Sequence, residues 1–182
     1  MLFQKLGRIA TLQLMLTLIL GAASVAHASN PATISVTVTI QNLSVSTSGA
    51  IAFGTVVAGS QTVSGSGSTI TNDGNVTETF SMSLTNPSTW IAVQAAPASA
   101  EEYALLMQFN SSAPTAVSFT YANHALSTAS VTSSGTKFAG NQTGLSVAAS
   151  GSRSAWFRFN APVTTAVTAQ QNITVTVTAS AG

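Results

Sequence analysis

The sequence predicts an all-β protein, an antiparallel β-sandwich of about eight to ten short strands that follows an N-terminal signal peptide. The first observation is strict alternation of apolar and polar residues in the stretch ATISVTVTI, from Ala32 to Ile40. The second is a similar alternation in the closing strand, Gln170–Ala179, where Thr separates the apolar residues. Period two is typical of a strand with one buried and one solvated face. Turn signals separate further runs of this kind in between, as expected of a sandwich.

The N-terminus has the features of a secretory signal. A positively charged start precedes the largely apolar run Ile9–Leu20, and Ala26-His27-Ala28 forms a small-x-small cleavage site. A retained membrane anchor is the alternative, but the apolar run is shorter than the roughly 20 residues that a spanning helix needs. We therefore predict a signal peptide over residues 1–28 and a single β-sandwich domain over residues 29–182. The mature protein is expected to have no membrane span and to be secreted, extracellular or bound to the cell surface.

Charged side chains are rare in the predicted mature chain. Its three positive and four negative residues, which give a net charge of −1, are Lys137, Arg153, Arg158, Asp73, Glu78, Glu101 and Glu102. Such a composition cannot form a basic patch, so it excludes nucleic acid as a partner and argues against electrostatic binding to anionic lipid. The chain has no cysteine. Its stability must therefore come from β packing without disulfides.

The first half of the mature chain alternates strands with turns. The apolar alternation changes phase at Gln41-Asn42, which predicts a bulge or kink. A short strand is expected around Phe53. A less regular strand is expected over Gln61–Ile70, because this stretch contains two glycines. Asn72-Asp73-Gly74-Asn75 is a strong turn, since its residues tolerate positive φ.

Two strands follow this turn. Phe80, Met82 and Leu84 keep period two until Asn86-Pro87, where the restriction that proline places on its predecessor ends the strand. Trp90–Val93 is a further short strand.

The one helical signal lies in the middle of the chain. Ser99 and Glu102 have the spacing of a capping box, which predicts a single helical turn. The alternation over Tyr103–Phe109 then predicts a strand, and so does the alternation over Val117–Tyr121. His124–Gly144 contains few apolar residues and is expected to form a long loop or weak strands.

An aromatic strand is expected over Ser154–Phe159, before the closing strand. Alternation places Phe157 and Phe159 on one side of it and Trp156 and Arg158 on the other.

One stretch resembles a known family of exported domains. Phe53-Gly54-Thr55-Val56-Val57-Ala58-Gly59, followed by Asn72-Asp73-Gly74-Asn75 and a Thr-rich strand, resembles the F-G-x-V-x-x-G … N-x-G pattern of exported immunoglobulin-like domains. These include abnormal-spindle/hydin-like and choice-of-anchor modules of bacterial surface proteins. The order of motifs is also similar to that of camelysin/TasA-like fibre subunits. The resemblance implies an immunoglobulin-like sandwich with a role at the cell surface or in an extracellular matrix. Within the motif we expect Phe53 to enter the core, and Gly54 and Gly59 to permit tight turns.

No pattern of catalytic residues is evident. His124 is the one histidine of the predicted mature chain, and a triad would have to combine it with Asp73, without any strand-to-helix nucleophile motif. One histidine and no cysteine cannot build a zinc site. The turn of residues 72–75, with Glu78, offers oxygen ligands of the kind that calcium uses, but a plain turn is the preferred interpretation. We therefore predict a protein that is not an enzyme, with no catalytic, cofactor-binding or metal-binding residues and no cofactor.

Aromatic residues are the candidates for ligand binding. Trp90, Tyr121 and Trp156, together with Tyr103, could form a platform on which a sugar stacks. The alternative, which we prefer, places these side chains in or at the edge of the sandwich core.

The terminal strand supports a structural function. Ile34, Val36, Val38 and Ile40 would form a donor strand that completes the sheet of a neighbouring molecule, with backbone hydrogen bonds and alternate apolar side chains providing affinity. The sequence therefore predicts a non-catalytic secreted or cell-surface protein, a self-assembling pilus or fibre subunit. Its partners would be other copies or other surface proteins. The alternative function is an adhesin-like or carbohydrate-binding module, whose partner is a glycan. Pairing of both terminal strands within one molecule also remains open.

Overall fold

The structure, a computed structural model, describes residues 33–182. The predicted signal peptide and its cleavage site lie outside these residues. The chain divides into two units at Thr39–Ile40, and the fold described below is that of Ile40–Gly182.

Nine strands and two short helical turns make up the regular structure of the described residues. The strands are β1 (Val45–Ser48), β2 (Gln61–Val63), β3 (Ser68–Asn72), β4 (Glu78–Thr85), β5 (Ile91–Ala92), β6 (Glu102–Phe109), β7 (Val131–Thr132), β8 (Ser152–Asn160) and β9 (Thr174–Ala181). The helical turns are a 3-10 turn, Ala116–Ser118, and a four-residue α-helix, α1 (Tyr121–His124). Among residues 33–182, no helix is long and apolar enough to cross a membrane.

The strands form two sheets that face each other as a sandwich. Sheet A has the order β1-β3-β8-β6-β5, and β2 also pairs with β8; sheet B has the order β7-β4-β9. Every pair is antiparallel except β5 and β6, in which Ile91 lies opposite Glu102 in a parallel register. The prediction of an all-β sandwich is therefore confirmed, with one parallel pair as a local exception.

Strand β8 is the central element of sheet A. One of its edges pairs with β6 from Phe109 to Ala104, and its other edge is shared by β2 and β3 in succession. Between these two strands the chain leaves the ladder at Ser64, which stays attached because its backbone N–H donates to Phe157 O over 2.8 Å. The irregular strand expected over residues 61–70 is thus two strands with an interruption between them.

The main core lies between the two sheets. Phe80, Met82 and Leu84 of β4 face alternate residues of β6 and β8, and all three are buried. Sheet A contributes a set of buried side chains with the same period: Tyr103, Leu105, Met107, Phe109, Ala155, Phe157 and Phe159. The two-residue alternation in the sequence therefore identifies the inner faces of these strands correctly.

A second, smaller core covers the outer face of sheet A. Ala104 and Leu106 of β6 pack there against Phe119 and Ala125, so that β6 is buried on both faces. The strand predicted over residues 117–121 is wrong, because the segment that covers this face contains the 3-10 turn and α1 instead. The backbone N–H of His124 donates to Thr120 O over 2.9 Å, which closes the helical turn.

The predicted turn at Ser99–Glu102 is a bend and turn that leads into β6, not a helical turn. The capping-box contact nevertheless forms, because a Glu102 carboxylate oxygen accepts the backbone N–H of Ser99 over 2.9 Å.

The first predicted strand does not form within the described part of the chain. Residues 33–44 have no regular secondary structure, and β1 begins only at Val45. The apolar side chains of Ile34, Val36, Val38 and Ile40 are 80–90% exposed. A strand needs a partner for its backbone groups, and these residues have none of the ladder pairings that the structure records.

Candidate functional site

A large apolar groove opens between the two sheets. Its volume is about 1120 Å³, far above the small voids of a close-packed interior. Leu105, Met107 and Phe157 of sheet A form its floor, and Val175 and Val177 of β9 line one wall. We call this feature the groove. It lies entirely within the unit Ile40–Gly182.

Two segments without regular structure border the groove. The first, residues 49–60, connects β1 to β2 and contains three glycines with positive φ, at positions 49, 54 and 59. Its Phe53 ring lies 5.5 Å from the Phe159 ring, so the expected core contact is present although no strand forms there. The segment therefore packs on the inner face of sheet A through side chains such as that of Phe53, and it adds no further strand to the sheet.

The second segment, residues 161–173, is held by Glu101. The Glu101 carboxylate accepts the Thr165 hydroxyl over 2.6 Å and the backbone N–H of Ala166 over 2.8 Å. These two hydrogen bonds lower the pKa of Glu101, and the bond from Thr165 has the larger effect. The Trp90 indole N–H also donates to the Thr165 hydroxyl, over 3.3 Å. This border of the groove is therefore positioned by specific polar contacts.

The groove is uncharged. Its lining consists of aliphatic, aromatic, small and neutral polar side chains, and none of its residues is Asp, Glu, Lys, Arg or His. An uncharged concave surface favours an apolar, uncharged occupant, because a charged group would lose hydration there without gaining a partner.

The base of the predicted donor strand is anchored by Asn75. The Asn75 side-chain amide donates to Ile40 O over 2.8 Å, and its side-chain oxygen accepts the backbone N–H of Asn42 over 2.8 Å. The Asn75 N–H donates to Asn42 O over 3.2 Å. The phase change at Gln41-Asn42 thus coincides with an attachment point to the turn of residues 72–75. We call residues 33–40 the N-terminal arm.

A fully buried carboxylate, that of Glu78 at the start of β4, lies beside the same turn. Glu78 is 0% exposed, and its Oε1 accepts the backbone N–H of Ser44 over 2.8 Å, whereas Oε2 is buried without a hydrogen-bond partner. Asn72 Oδ1 accepts the Gly74 N–H over 2.8 Å, as in an Asx turn. The described residues contain no group of three or more acidic, His or Cys side chains arranged for a metal ion. The observed contacts make this region an anchor for the chain before β1.

The three candidate platform residues are not brought together. Trp90 packs on the main core, where its ring lies 5.9 Å from Phe159 and 6.2 Å from Tyr103. Tyr121 and Trp156 pack against the second core, on the opposite face of sheet A. The Trp156 indole N–H donates to Asn110 O over 2.9 Å. All three are half-buried in packed surroundings.

Arg158 is the feature that sequence reasoning missed. It is buried on the outer face of sheet A, between the rings of Phe119 and Tyr121, whose centroids lie 5.7 and 5.4 Å from its guanidinium carbon. Its guanidinium donates to Ala116 O over 2.7 Å and to Phe119 O over 3.0 Å. The alternation correctly predicts that Arg158 lies on the other side of β8 from Phe157. It does not predict which residues cover Arg158, because that segment is distant in the sequence.

His124 is likewise held by the backbone. Its Nδ1 accepts the Thr120 N–H over 2.8 Å, so the ring carries its proton on Nε2, which donates to Ala139 O over 3.0 Å. Burial is the main cause that lowers the pKa of His124 from its ordinary value of 6.5, and the charges of Lys137 and Arg158 add to it. Both ring nitrogens are occupied, which is typical of a structural histidine.

This histidine should make stability depend on pH. The unfolded chain protonates His124 near pH 6.5, but the folded chain does so only at lower pH. As the pH falls below 6.5, the unfolded state therefore binds more protons and the free energy of unfolding decreases. We expect the free energy of unfolding, measured with urea, to fall more between pH 7.5 and pH 5.5 in the wild type than in His124→Gln. Equal losses in both proteins would contradict this assignment.

Comparison with known proteins adds no relative to this description. A scan against protein-family models, a search of curated proteins and a search of solved structures each give no match.

Proposed function

We propose that the chain is a non-catalytic secreted or cell-surface structural protein whose copies assemble through their N-terminal arms. The observation that carries the proposal is the arm itself: four apolar side chains at every second residue, 80–90% exposed and separated by Ser and Thr. A segment with the alternation of a strand, and without a ladder partner among the described residues, offers its backbone groups for pairing with another chain. The features of residues 1–28 support export as the route to the surface.

Three further features agree with a structural role. The arm contains no Lys, Glu or Pro, the residues with which proteins usually protect a strand from pairing. Few charges on the mature chain leave little electrostatic repulsion between copies. The two ring nitrogens of His124 and the guanidinium of Arg158 are engaged by backbone carbonyls and N–H groups, which supports packing rather than catalysis as their role.

Charge placed on the two sides of the arm tests the proposal. The full-length chain is expressed for export with its own N-terminus, and N-terminal sequencing of the purified product identifies its first residue. We expect the wild type to form filaments in negative-stain micrographs, and Val36→Asp with Val38→Asp to abolish them, because a carboxylate on the apolar side cannot be buried without a partner. Thr37→Asp is the matched control: it adds charge on the polar side and should preserve assembly.

The outcomes separate the candidate functions. A wild type that stays monomeric by light scattering at high concentration, or filaments that survive the double substitution, would overturn the proposal. A monomer that binds a glycan array, with the signal lost in Trp156→Ala, would support the carbohydrate-binding alternative.

A further inference from the structure

We infer that the acceptor for the N-terminal arm is the groove of a second copy, where the arm pairs with the outer edge of β9. This inference rests on the proposed function and specifies the partner surface. It makes each copy a donor at one site and an acceptor at another.

The outer edge of β9 is available for pairing. Along its other edge β9 pairs with β4 over eight residue pairs, from Glu78↔Ala181 to Thr85↔Thr174. Within residues 33–182 no strand pairs with the outer edge, since β9 is the last strand of sheet B. β9 contains neither charge nor proline, so the edge lacks the usual protection against strand addition.

The groove and the arm are complementary in pattern and charge. The wall of the groove presents Ile173, Val175 and Val177 at two-residue spacing. The arm presents Ile34, Val36, Val38 and Ile40 at the same spacing. Both surfaces are uncharged, and the apolar side chains of the arm are exposed. A strand added to β9 would turn its alternate side chains toward the groove, because successive strands of a sheet share their inner face.

The length of the arm also agrees with the length of β9. At about 3.3 Å per residue, the span from residue 34 to residue 40 is about 20 Å, and a strand of eight residues such as β9 is slightly longer. The arm therefore needs no further chain to pair along most of β9.

Donor and acceptor are different surfaces, and this determines the kind of assembly. A contact between two different patches is heterologous, and it produces an open filament unless the rotation between copies closes a ring. The anchoring of Ile40 and Asn42 by Asn75 gives the arm a defined root, so that successive copies would be related by a repeated geometry.

A mixed cross-link identifies the acceptor directly. The chain has no cysteine, so each introduced thiol is unique. Full-length chains carrying Val36→Cys are mixed with chains of different mass carrying Val175→Cys, and the mixture is oxidised. We expect a disulfide-linked heterodimer in at least tenfold excess over that formed with Val117→Cys, an exposed site on the 3-10 turn outside the groove. Equal yields at positions 175 and 117 would overturn the inference.

A double variant tests occupancy by the chain's own arm. A chain with both Val36→Cys and Val175→Cys should form a ladder of linked oligomers on oxidation. A monomer with an internal disulfide, at any protein concentration, would show that the arm fills the groove of its own chain and would overturn the inference.

Filling the groove provides the second test. Ala52 lines the groove and is exposed, so Ala52→Trp adds volume there without removing a core contact. We expect Ala52→Trp to assemble at least tenfold more slowly than Ala122→Trp, a control on α1.

If Ala52→Trp assembles normally while the Val36→Asp and Val38→Asp substitutions still block assembly, the arm binds another surface and only the proposed acceptor is wrong. If no variant or wild type assembles, the proposed function fails as well. An apolar small molecule that copurifies in the groove of a monomer would overturn both.

Discussion

Replacing Phe159 by alanine should lower the free energy of unfolding by about 3–5 kcal/mol. Phe159 is 5% exposed, and its ring contacts the rings of Phe53, Trp90 and Tyr103 at centroid distances of 5.5, 5.9 and 5.9 Å. Its removal loses apolar burial and these aromatic contacts, and it leaves a cavity between β8 and the segment around Phe53.

Urea unfolding followed by tryptophan fluorescence measures this loss, because Trp90 lies against the substituted ring. Val117→Ala is the control: this side chain is 87% exposed, and its truncation should change stability by less than about 0.5 kcal/mol. A loss below about 1 kcal/mol for Phe159→Ala would mean that the aromatic cluster contributes little to the core.

Arg158→Met should cost at least about 3 kcal/mol, although methionine is an apolar side chain of similar length. The substitution leaves Phe119 O without its donor and leaves Ala116 O with only the longer bond from the Phe119 N–H, which is 3.4 Å. It also removes the bond from Nε to Asn160 Oδ1, which is 3.1 Å long. It also removes two cation–π contacts. The loss of the guanidinium's desolvation cost offsets part of this, but the buried oxygens Phe119 O and Asn160 Oδ1 lose their donor.

Arg158→Met should destabilise the smaller core on the outer face of sheet A more than the main core between the sheets. Hydrogen exchange should be faster for the backbone amides of residues 116–125, whereas those of β4 should keep their protection. Arg153→Met is the matched control, because Arg153 is only half-buried and its bonds to Thr143 O and Ser152 O lie at the sheet surface. Wild-type stability of Arg158→Met would show that the covering segment is held by apolar packing alone.

The buried carboxylate of Glu78 illustrates what sequence reasoning could not find. The turn of residues 72–75 was predicted from its Asn, Asp and Gly residues, and it forms. The partner of Glu78, the backbone N–H of Ser44, is 34 residues away and carries no signal in its side-chain type. Any residue except proline could supply that N–H, so only the folded chain shows which one does.

The arm shows a different limit. The alternation from Ile34 to Ile40 specifies a strand with one apolar side, but it does not specify the partner edge. Within the described part of the chain, residues 34–40 have no ladder pairing. A strand pattern is a statement about side chains, whereas strand formation also requires an available row of backbone donors and acceptors.

Local chemistry in the sequence by itself determined the all-β class, the inner faces of β4, β6 and β8, and the turn at residues 72–75. These features depend on two-residue periodicity and on residues that tolerate turn geometry, and both can be read over short stretches. The tertiary structure alone decided that sheet A is covered on both faces, that Trp90 is separated from Tyr121 and Trp156, and that a groove remains beside β9. The reason is that these features depend on which distant strands pair and which connecting segments cover a sheet, and no local period encodes that choice.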